Sequence, residues 1–435
     1  MSAGPEDPVS NRWLVLAVLF GAYALSSADR QLVAVLAEPI RLEFGLTDSQ
    51  LGMLSGFTFA LFYTAFGIPI AWLADRMNRV VVIASACLAW SLCTVGSALA
   101  GSYLHLALWR IGVAVGEAGG SPPSYSLISD HFPAELRGTA LGLYSVGLPF
   151  GIAAGTALGG WIGVQYGWRA VFLAFSLPGF VLGIVMLLLI RHPVRGRLDP
   201  PSAKPERAAA PRLGETLRNF AGQPVLRQTT VAGCLAALSS YGLMVWLPAF
   251  LMRGKGMTLT EIAASYSLIS GVAMVAGMIA SGYLNDHWGK RNPRAGALIP
   301  AFAYAIAAPL VLAAVWVSDW RLALALLALP LALMMTWLPP ALATLQNSVP
   351  AEERGVTAAV FMLFAGIIGN GGGPFLVGWL SDMVMPLAPA HSLHWALTIL
   401  CPILLLASLA HFYLARTLEK AAVSRHRSVA GEAIR

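Results

Sequence analysis

Apolar runs of twenty or more residues, separated by short polar turns, follow one another along nearly the whole chain. An α-helix rises ~1.5 Å per residue and the hydrocarbon of a bilayer is ~30 Å thick, so each run predicts a membrane-spanning helix. Twelve are predicted, over 12–37, 48–73, 79–100, 103–128, 137–164, 168–190, 226–251, 259–285, 294–317, 320–346, 353–382 and 392–415. They fall six and six about one polar stretch. This predicts an all-α integral membrane fold with an N-terminal bundle over 1–190, a linker over 191–224, and a C-terminal bundle with a polar tail over 225–435.

The second half repeats the first. GMTLTEIAASYSL at 256 parallels GLTDSQLGMLSGF at 45, GYLNDHWGKR at 282 parallels AWLADRMNR at 71, and VPAEERG at 349 parallels FPAELRG at 132, at offsets of 211 to 217 residues. Duplication of a membrane bundle predicts two pseudo-symmetric halves and a transporter in which one half rocks against the other.

Composition excludes a soluble domain, since 57% of residues are hydrophobic, 11% are charged and the mean hydropathy is +0.70. Basic residues are retained on the cytoplasmic side of a membrane. With the N-terminus inside, 21 of the 28 Lys and Arg fall on cytoplasmic segments, 5 on the other side and 2 within helices, which predicts that both termini are cytoplasmic. The net charge of +7 then reflects topology and anionic headgroups, and calls for no nucleic acid. The first apolar run is too long for a removable signal peptide and lacks a small-residue cleavage site. The linker is basic and Pro-rich, with a short interfacial helix expected near Leu213 to Phe220. Cys87, Cys93, Cys234 and Cys401 lie within predicted helices without CxxC spacing, so free thiols in helix packing are expected.

Ionisable residues at membrane depth carry the chemistry, because an unpaired charge there costs ~3 kcal/mol or more. Asp29, Arg30, Arg110 and Glu117 are the clear cases, and all belong to the first half. From helical rise, Asp29 lies ~9 Å and Arg110 ~7 Å from the midplane toward the same side, so the two can meet. Glu117, two turns after Arg110 on the same face, lies near the midplane. An arginine stays charged, so exchanging its carboxylate partner during a conformational change would load or release a proton. A static salt bridge would use the same residues, but the Gly-rich run GVAVGEAGGSPP over 112–123 opens space and favours the relay. Arg30, adjacent to Asp29, is expected to point elsewhere, either snorkelling outward or touching substrate.

The duplicated turns form a second expected site. Asp75, Arg76 and Arg79 in one and Asp286 and Arg291 in the other, with Arg137 and Arg354 in the matching later turns, are the candidate cytoplasmic gate. A carboxylate facing the positive N-terminus of a neighbouring helix would latch that side.

The six-plus-six layout and paired Asp-containing turns resemble the major facilitator superfamily across nearly the whole chain. DRQLVAVLAEPIRLEFGLTDSQLGMLSG at 29–56, LADRMNR at 73–79 and RIGVAVGEAGGSPPSYSLISDHFPAELRGTALGLYSVGLPFG at 110–151 are similar to the spinster family of lipid transporters. That resemblance implies that Asp29, Arg110 and Glu117 form a proton-linked network. It implies a lysophospholipid or sphingoid cargo, with H⁺ as coupling ion and no other cofactor. Asn78 stands where most relatives have Gly, and Ser26, Ser27 and Ala28 replace the Asn and aromatic residue usual before the Asp-Arg pair, so substrate contacts do not transfer there.

The candidate pocket wall comprises Tyr23, Phe57, Phe62 and Tyr63 with Trp246, Phe361, Met362 and Asn370, any of which also suits helix packing. Gly151, Gly155 and Gly159, spaced by four, predict close helix approach. Short loops suggest a bacterial inner-membrane monomer whose partners are the bilayer, protons and an amphipathic substrate. The competing readings are symport of organic acids, efflux of drugs, and a membrane sensor without transport. An enzyme would need a nucleophile with a base or a metal cluster, and the scattered histidines, of which only His105 lies well inside a helix, supply neither.

Overall fold

The computed structural model describes residues 11–194, 198, 218, 220–289, 292, 294–350 and 353–432. Most of the expected linker, with its interfacial helix near Leu213, lies outside the described residues, as does Arg291. Among the described residues the chain is helical, with no strand.

The first half begins with α1 (Arg12–Val35), started by Asn11, whose side chain accepts the Trp13 N–H. Next come α2 (Ala37–Phe44) and then α3 (Asp48–Gly52), which passes through a π turn over Met53–Phe57 into α4 (Thr58–Arg76). α5 (Arg79–Ala98), α6 (Tyr103–Glu117), α7 (Ser121–His131) and α8 (Ala134–Leu189) complete it. Gly167, at φ 80° and ψ 165°, breaks α8 into the two crossings expected from the sequence.

The second half opens with α9 (Pro224–Lys255) and α10 (Leu259–Glu261), then a π turn over Ile262–Tyr266 and α11 (Ser267–Gly289). It continues through α12 (Ala295–Trp316), α13 (Trp320–Leu333) and α14 (Leu338–Asn347). α15 (Arg354–Phe364), α16 (Gly372–Val384) and α17 (Ser392–Glu432) end it.

The repeat in sequence is a repeat in backbone. Gly45 (φ 63°) and Gly256 (φ 70°) end α2 and α9 in the left-handed conformation. Thr47 with Gln50, and Thr258 with Glu261, then form capping boxes, and a five-residue π turn follows each.

Two expected spans differ from single helices. The runs over 103–128 and 320–346 are interrupted at 118–120 and 334–337, immediately ahead of Pro122-Pro123 and Pro339-Pro340. Proline lacks the N–H of the helical ladder and disfavours helix in the residue before it, so a proline pair restarts a helix rather than continuing one.

Nine helices among the described residues are long and apolar enough to cross a membrane, and one of these, Leu136–Leu189, contains the Gly167 break. Counting it twice and adding α1 and the α6–α7 pair, which carry the buried charges, gives twelve crossings.

Contacts divide the chain into two compact units. Unit 1 comprises Met1–Leu46, Thr58–Ala208 and Thr258–Leu268; unit 2 comprises Thr47–Phe57, Ala209–Met257 and Ile269–Arg435. Each unit therefore holds the duplicated capping-box segment of the other half. In unit 1, α1 lies against α8. A Cβ at Gly155 would fall 2.8 Å from Ala28 Cα, and one at Gly151 would fall 2.8 Å from Ser27 Cβ. The glycine stripe thus lets α8 press directly behind the charged turn of α1. In unit 2, Tyr304 on α12 bonds through its hydroxyl to Ser240 (2.7 Å) and to the Ala236 carbonyl (3.2 Å), and reaches the Met334 carbonyl at the 334–337 break (3.4 Å).

Candidate functional site

In unit 1, four consecutive α1 residues, Ser26, Ser27, Ala28 and Asp29, are buried. α6 faces them with Arg110 and, two turns later at its C-terminal end, Glu117. The break after Glu117 leaves its carboxylate at a turn of Gly119 and Gly120 rather than inside a continuous helix.

Two ion pairs join these helices. Arg110 Nη1 donates to Asp29 Oδ2 at 2.5 Å, and Thr94 Oγ1 donates to Asp29 Oδ1 at 3.2 Å. Arg30 Nε donates to Glu117 Oε2 at 2.6 Å, and Ser26 Oγ donates to the same oxygen at 2.7 Å. Arg30 Nη2 closes the triangle on Ser26 Oγ at 3.2 Å. Both carboxylates and Arg110 are fully buried, whereas the Arg30 side chain keeps 27% of its surface. Its guanidinium lies 5.0 Å from the Phe59 ring and 4.9 Å from the Tyr63 ring.

The expected meeting of Asp29 with Arg110 is present, and Arg30 points elsewhere, as expected. It does not snorkel outward, however; it is the partner of Glu117. Adjacent helix residues differ by ~100° in direction, but this stretch of α1 is surrounded by protein, so both directions lead inward. Among the described residues, Glu117 Oε1 and Arg110 Nε are buried without a hydrogen-bond partner.

Of the expected pocket residues, Tyr23 stacks on Tyr144 at 4.7 Å beside Glu117, and Tyr63 lies under Arg30. Phe62 packs on the hydrophobic core of unit 1. The others belong to unit 2: Phe57 stands 6.3 Å from Phe375, buried Trp246 donates to the Pro374 carbonyl (2.8 Å), and Phe361 is buried beside Trp337. The Asn370 carbonyl lies close against Gly56, where a Cβ would fall 2.8 Å from its oxygen, and Met362 is exposed.

Among the expected gate residues, Arg79 is buried, pairing with Asp130 at 2.5 Å and Ser126 at 2.6 Å. Asp130 had no repeat or depth signal to mark it. Arg76 lies flat on Trp72 at 3.8 Å. Arg137 donates to the Ser129 carbonyl and Arg354 to the Gln346 carbonyl, both at 3.0 Å, so the duplicated turns repeat their bonding as well as their residues. The side chains of Asp75 and Asp286 lie outside the described set.

A carboxylate on a helix N-terminus is present, but at a residue the sequence reading passed over. In unit 2, Asp382 of α16 accepts the Asp48 N–H (2.9 Å), the Ser49 N–H (2.7 Å) and the Ser49 hydroxyl (2.5 Å) at the start of α3. Buried Asp48 in turn pairs with Arg253 and accepts from Ser381, each at 2.7 Å. Asp382→Ala removes charge-assisted bonds to two backbone donors, so the seating of α3 should weaken by about 2 kcal/mol. Hydrogen exchange at residues 48–52 would quicken correspondingly, and unchanged exchange would show that the bonds do not hold the segment.

The sequence profile of the Major Facilitator Superfamily matches residues 19–374. An MFS-type efflux pump of Mycolicibacterium smegmatis is 31% identical over 403 residues, covering 93% of this chain and 92% of its own. A cis,cis-muconate transport protein of Acinetobacter baylyi is 28% identical over 65% of this chain and 68% of its own. The crystal structure of a bacterial homologue of the human lysosomal transporter Spinster, inward-facing and unoccupied, superposes with a TM-score of 0.85. It has 28% identity and covers 96% of this chain and 99% of its own.

Proposed function

The chain belongs to the Major Facilitator Superfamily and is a membrane transporter rather than an enzyme, and from that premise we propose that it is a proton-coupled secondary transporter of an amphipathic, lipid-like molecule, working by alternating access. The observation that carries this reading is the doubled ion pair, Asp29 with Arg110 and Glu117 with Arg30, buried in unit 1.

An arginine cannot give up its proton at any physiological pH, so the two carboxylates are the titrating members. A proton on Glu117 cancels its attraction for Arg30 and leaves the guanidinium with only Ser26 and the two aromatic rings. A proton on Asp29 does the same to Arg110. Each event removes an interaction made in one conformation, and in that way a proton biases an equilibrium between two states. The amphipathic cargo rests on the resemblance of the segments at 29–56, 73–79 and 110–151 to the spinster family of lipid transporters. A second reading, symport of small organic acids, is favoured by the part-exposed Arg30, whose charge suits a carboxylate, and by the likeness to the muconate transport protein.

Both termini are placed in the cytoplasm, with the protein as a monomer in the inner membrane and H⁺ as its coupling ion. Asp75, Arg76, Arg79, Arg137, Asp286, Arg291 and Arg354 then lie on the cytoplasmic side and form its gate. A reporter fused after Arg435 or inserted within 195–215 should report cytoplasm; a periplasmic signal from either position would invert the topology.

The direct test is purified protein in liposomes under an imposed pH gradient, offered a fluorescent lysophospholipid or cis,cis-muconate. Accumulation that collapses with a protonophore is expected. Movement indifferent to the gradient for both compounds would remove proton coupling.

A further inference from the structure

A cavity of about 10 Å³ lies beside Glu117, the room that one water molecule needs. The residues around it all belong to unit 1, and among them are Glu117 itself, Ser26 of α1, Ser121 and Ser124 of α7, and Tyr144 of α8. A hole of this size lined by apolar groups stays dry, whereas one with several polar partners holds water.

Glu117 supplies the reason for a guest. Its side chain is fully buried, Oε2 takes hydrogen bonds from Ser26 at 2.7 Å and Arg30 at 2.6 Å, and among the described residues Oε1 takes none. A buried carboxylate oxygen without a donor is costly, so this position favours an incoming donor.

Size and charge select that donor. Any organic molecule is larger than the space. A sodium ion would fit, but Arg30 on Glu117 and Arg110 on Asp29 already balance both carboxylates, so its charge would stand uncompensated near a guanidinium. Water is small, neutral and a double donor, and the neighbouring hydroxyls suit its remaining bonds. Ser124 gives its own proton to the Gly120 carbonyl at 2.7 Å and so presents lone pairs, while the Tyr144 hydroxyl interacts with both Ser121 and Ser124.

The two oxygens of Glu117 are therefore unequal as proton acceptors. Oε2 is occupied by an arginine that does not release its proton, so a proton reaches that oxygen only after Arg30 withdraws. Oε1 carries no such condition.

We propose that the cavity binds one water molecule, held between Glu117 Oε1 and the hydroxyls of Tyr144, Ser121 and Ser124, and that Glu117 gains and loses its proton through it. The water hands one proton to Oε1 while its oxygen takes another from the hydroxyls, which are refilled from the aqueous phase at half-buried Ser121. Water and hydroxyls end unchanged, and the carboxylate has gained one proton before its bond to Arg30 is broken. The water site stands on geometry, whereas its part as a relay rests on the proton-coupled reading.

A structure of the wild type at a resolution that shows ordered water should place an isolated density peak within about 3 Å of Glu117 Oε1. Buried Ala22 of α1 also lines the cavity, so Ala22→Val adds two methyl groups there and should remove the peak. Tyr144→Phe keeps the ring stack on Tyr23 at 4.7 Å while deleting a hydroxyl of the relay. In liposomes the initial rate of gradient-driven uptake should fall about ten-fold in each variant, the scale of one hydrogen bond at the transferring group. Monodisperse elution of both separates this from misfolding. No peak in the wild type would overturn the water site. A wild-type peak, with both monodisperse variants taking up cargo at the wild-type rate, would overturn the relay. A wild-type peak without gradient-driven uptake in any of the three proteins would remove proton coupling and leave the water site standing.

Discussion

Arg110→Ala is expected to abolish transport driven by a pH gradient. Arg110 and Asp29 are both buried and joined at 2.5 Å, and among the described residues the Asp29 carboxylate accepts one further hydrogen bond, from Thr94 at 3.2 Å. Taking one member from a buried ion pair costs ~3–5 kcal/mol, because the remaining charge is left without compensation. Asp29 is then a buried carboxylate without its counter-charge, and the proposed cycle loses one of its two ion pairs. Gradient-driven uptake should fall by roughly a hundred-fold, the factor that ~3 kcal/mol represents. Arg110→Lys should restore part of it, since the charge returns without the planar fork of the guanidinium. Monodisperse elution of each variant in detergent separates a transport defect from a folding defect. Near-normal gradient-driven uptake by a monodisperse Arg110→Ala protein would show that the pair serves packing alone.

Glu117→Gln should have a different signature. Glutamine reproduces the shape of the protonated acid, and its amide oxygen can still accept from Ser26 and Arg30, so the geometry around Oε2 survives while the charge does not. Counterflow exchange of cargo should persist, whereas accumulation against a concentration difference should vanish and the rate should lose its pH dependence. A packing role predicts instead that exchange and accumulation fall together. If Glu117→Gln and Asp29→Asn both accumulate cargo with wild-type pH dependence, neither carboxylate carries the proton.

Hydropathy, charge placement and repetition are local properties of a chain, and they settled much of this protein before any coordinates. Twelve crossings follow from run length, including the division of α8, since the sequence interrupts its apolar run around Gly167. The repeat at 45 and 256 foretold two equivalent halves, whereas the paired capping boxes and the π turns after them came from the structure. Asp29, Arg110 and Glu117 were legible as functional candidates because charge at membrane depth is expensive wherever its partner lies.

Beyond Asp29 with Arg110, which helical rise brings to one depth, partnership was not legible, because it joins residues on different helices. Arg30 met Glu117, 87 residues away, once α1 was enclosed on both sides. Arg79 drew in Asp130, and Asp382 found the α3 N-terminus 334 residues earlier in the chain. The proline pairs at 122 and 339 were visible in sequence, but the consequence, a helix broken so that Glu117 ends one segment beside a cavity, required the fold. The sequence by itself determined the membrane crossings, their number and the charges at mid-membrane depth, since those depend on each segment's own transfer from water to lipid. Which charge neutralises which beyond Asp29 and Arg110, and which buried oxygen is left without a donor, was decided only by tertiary structure, because short-range electrostatics and hydrogen bonding act over a few ångströms in space and are indifferent to distance along the chain.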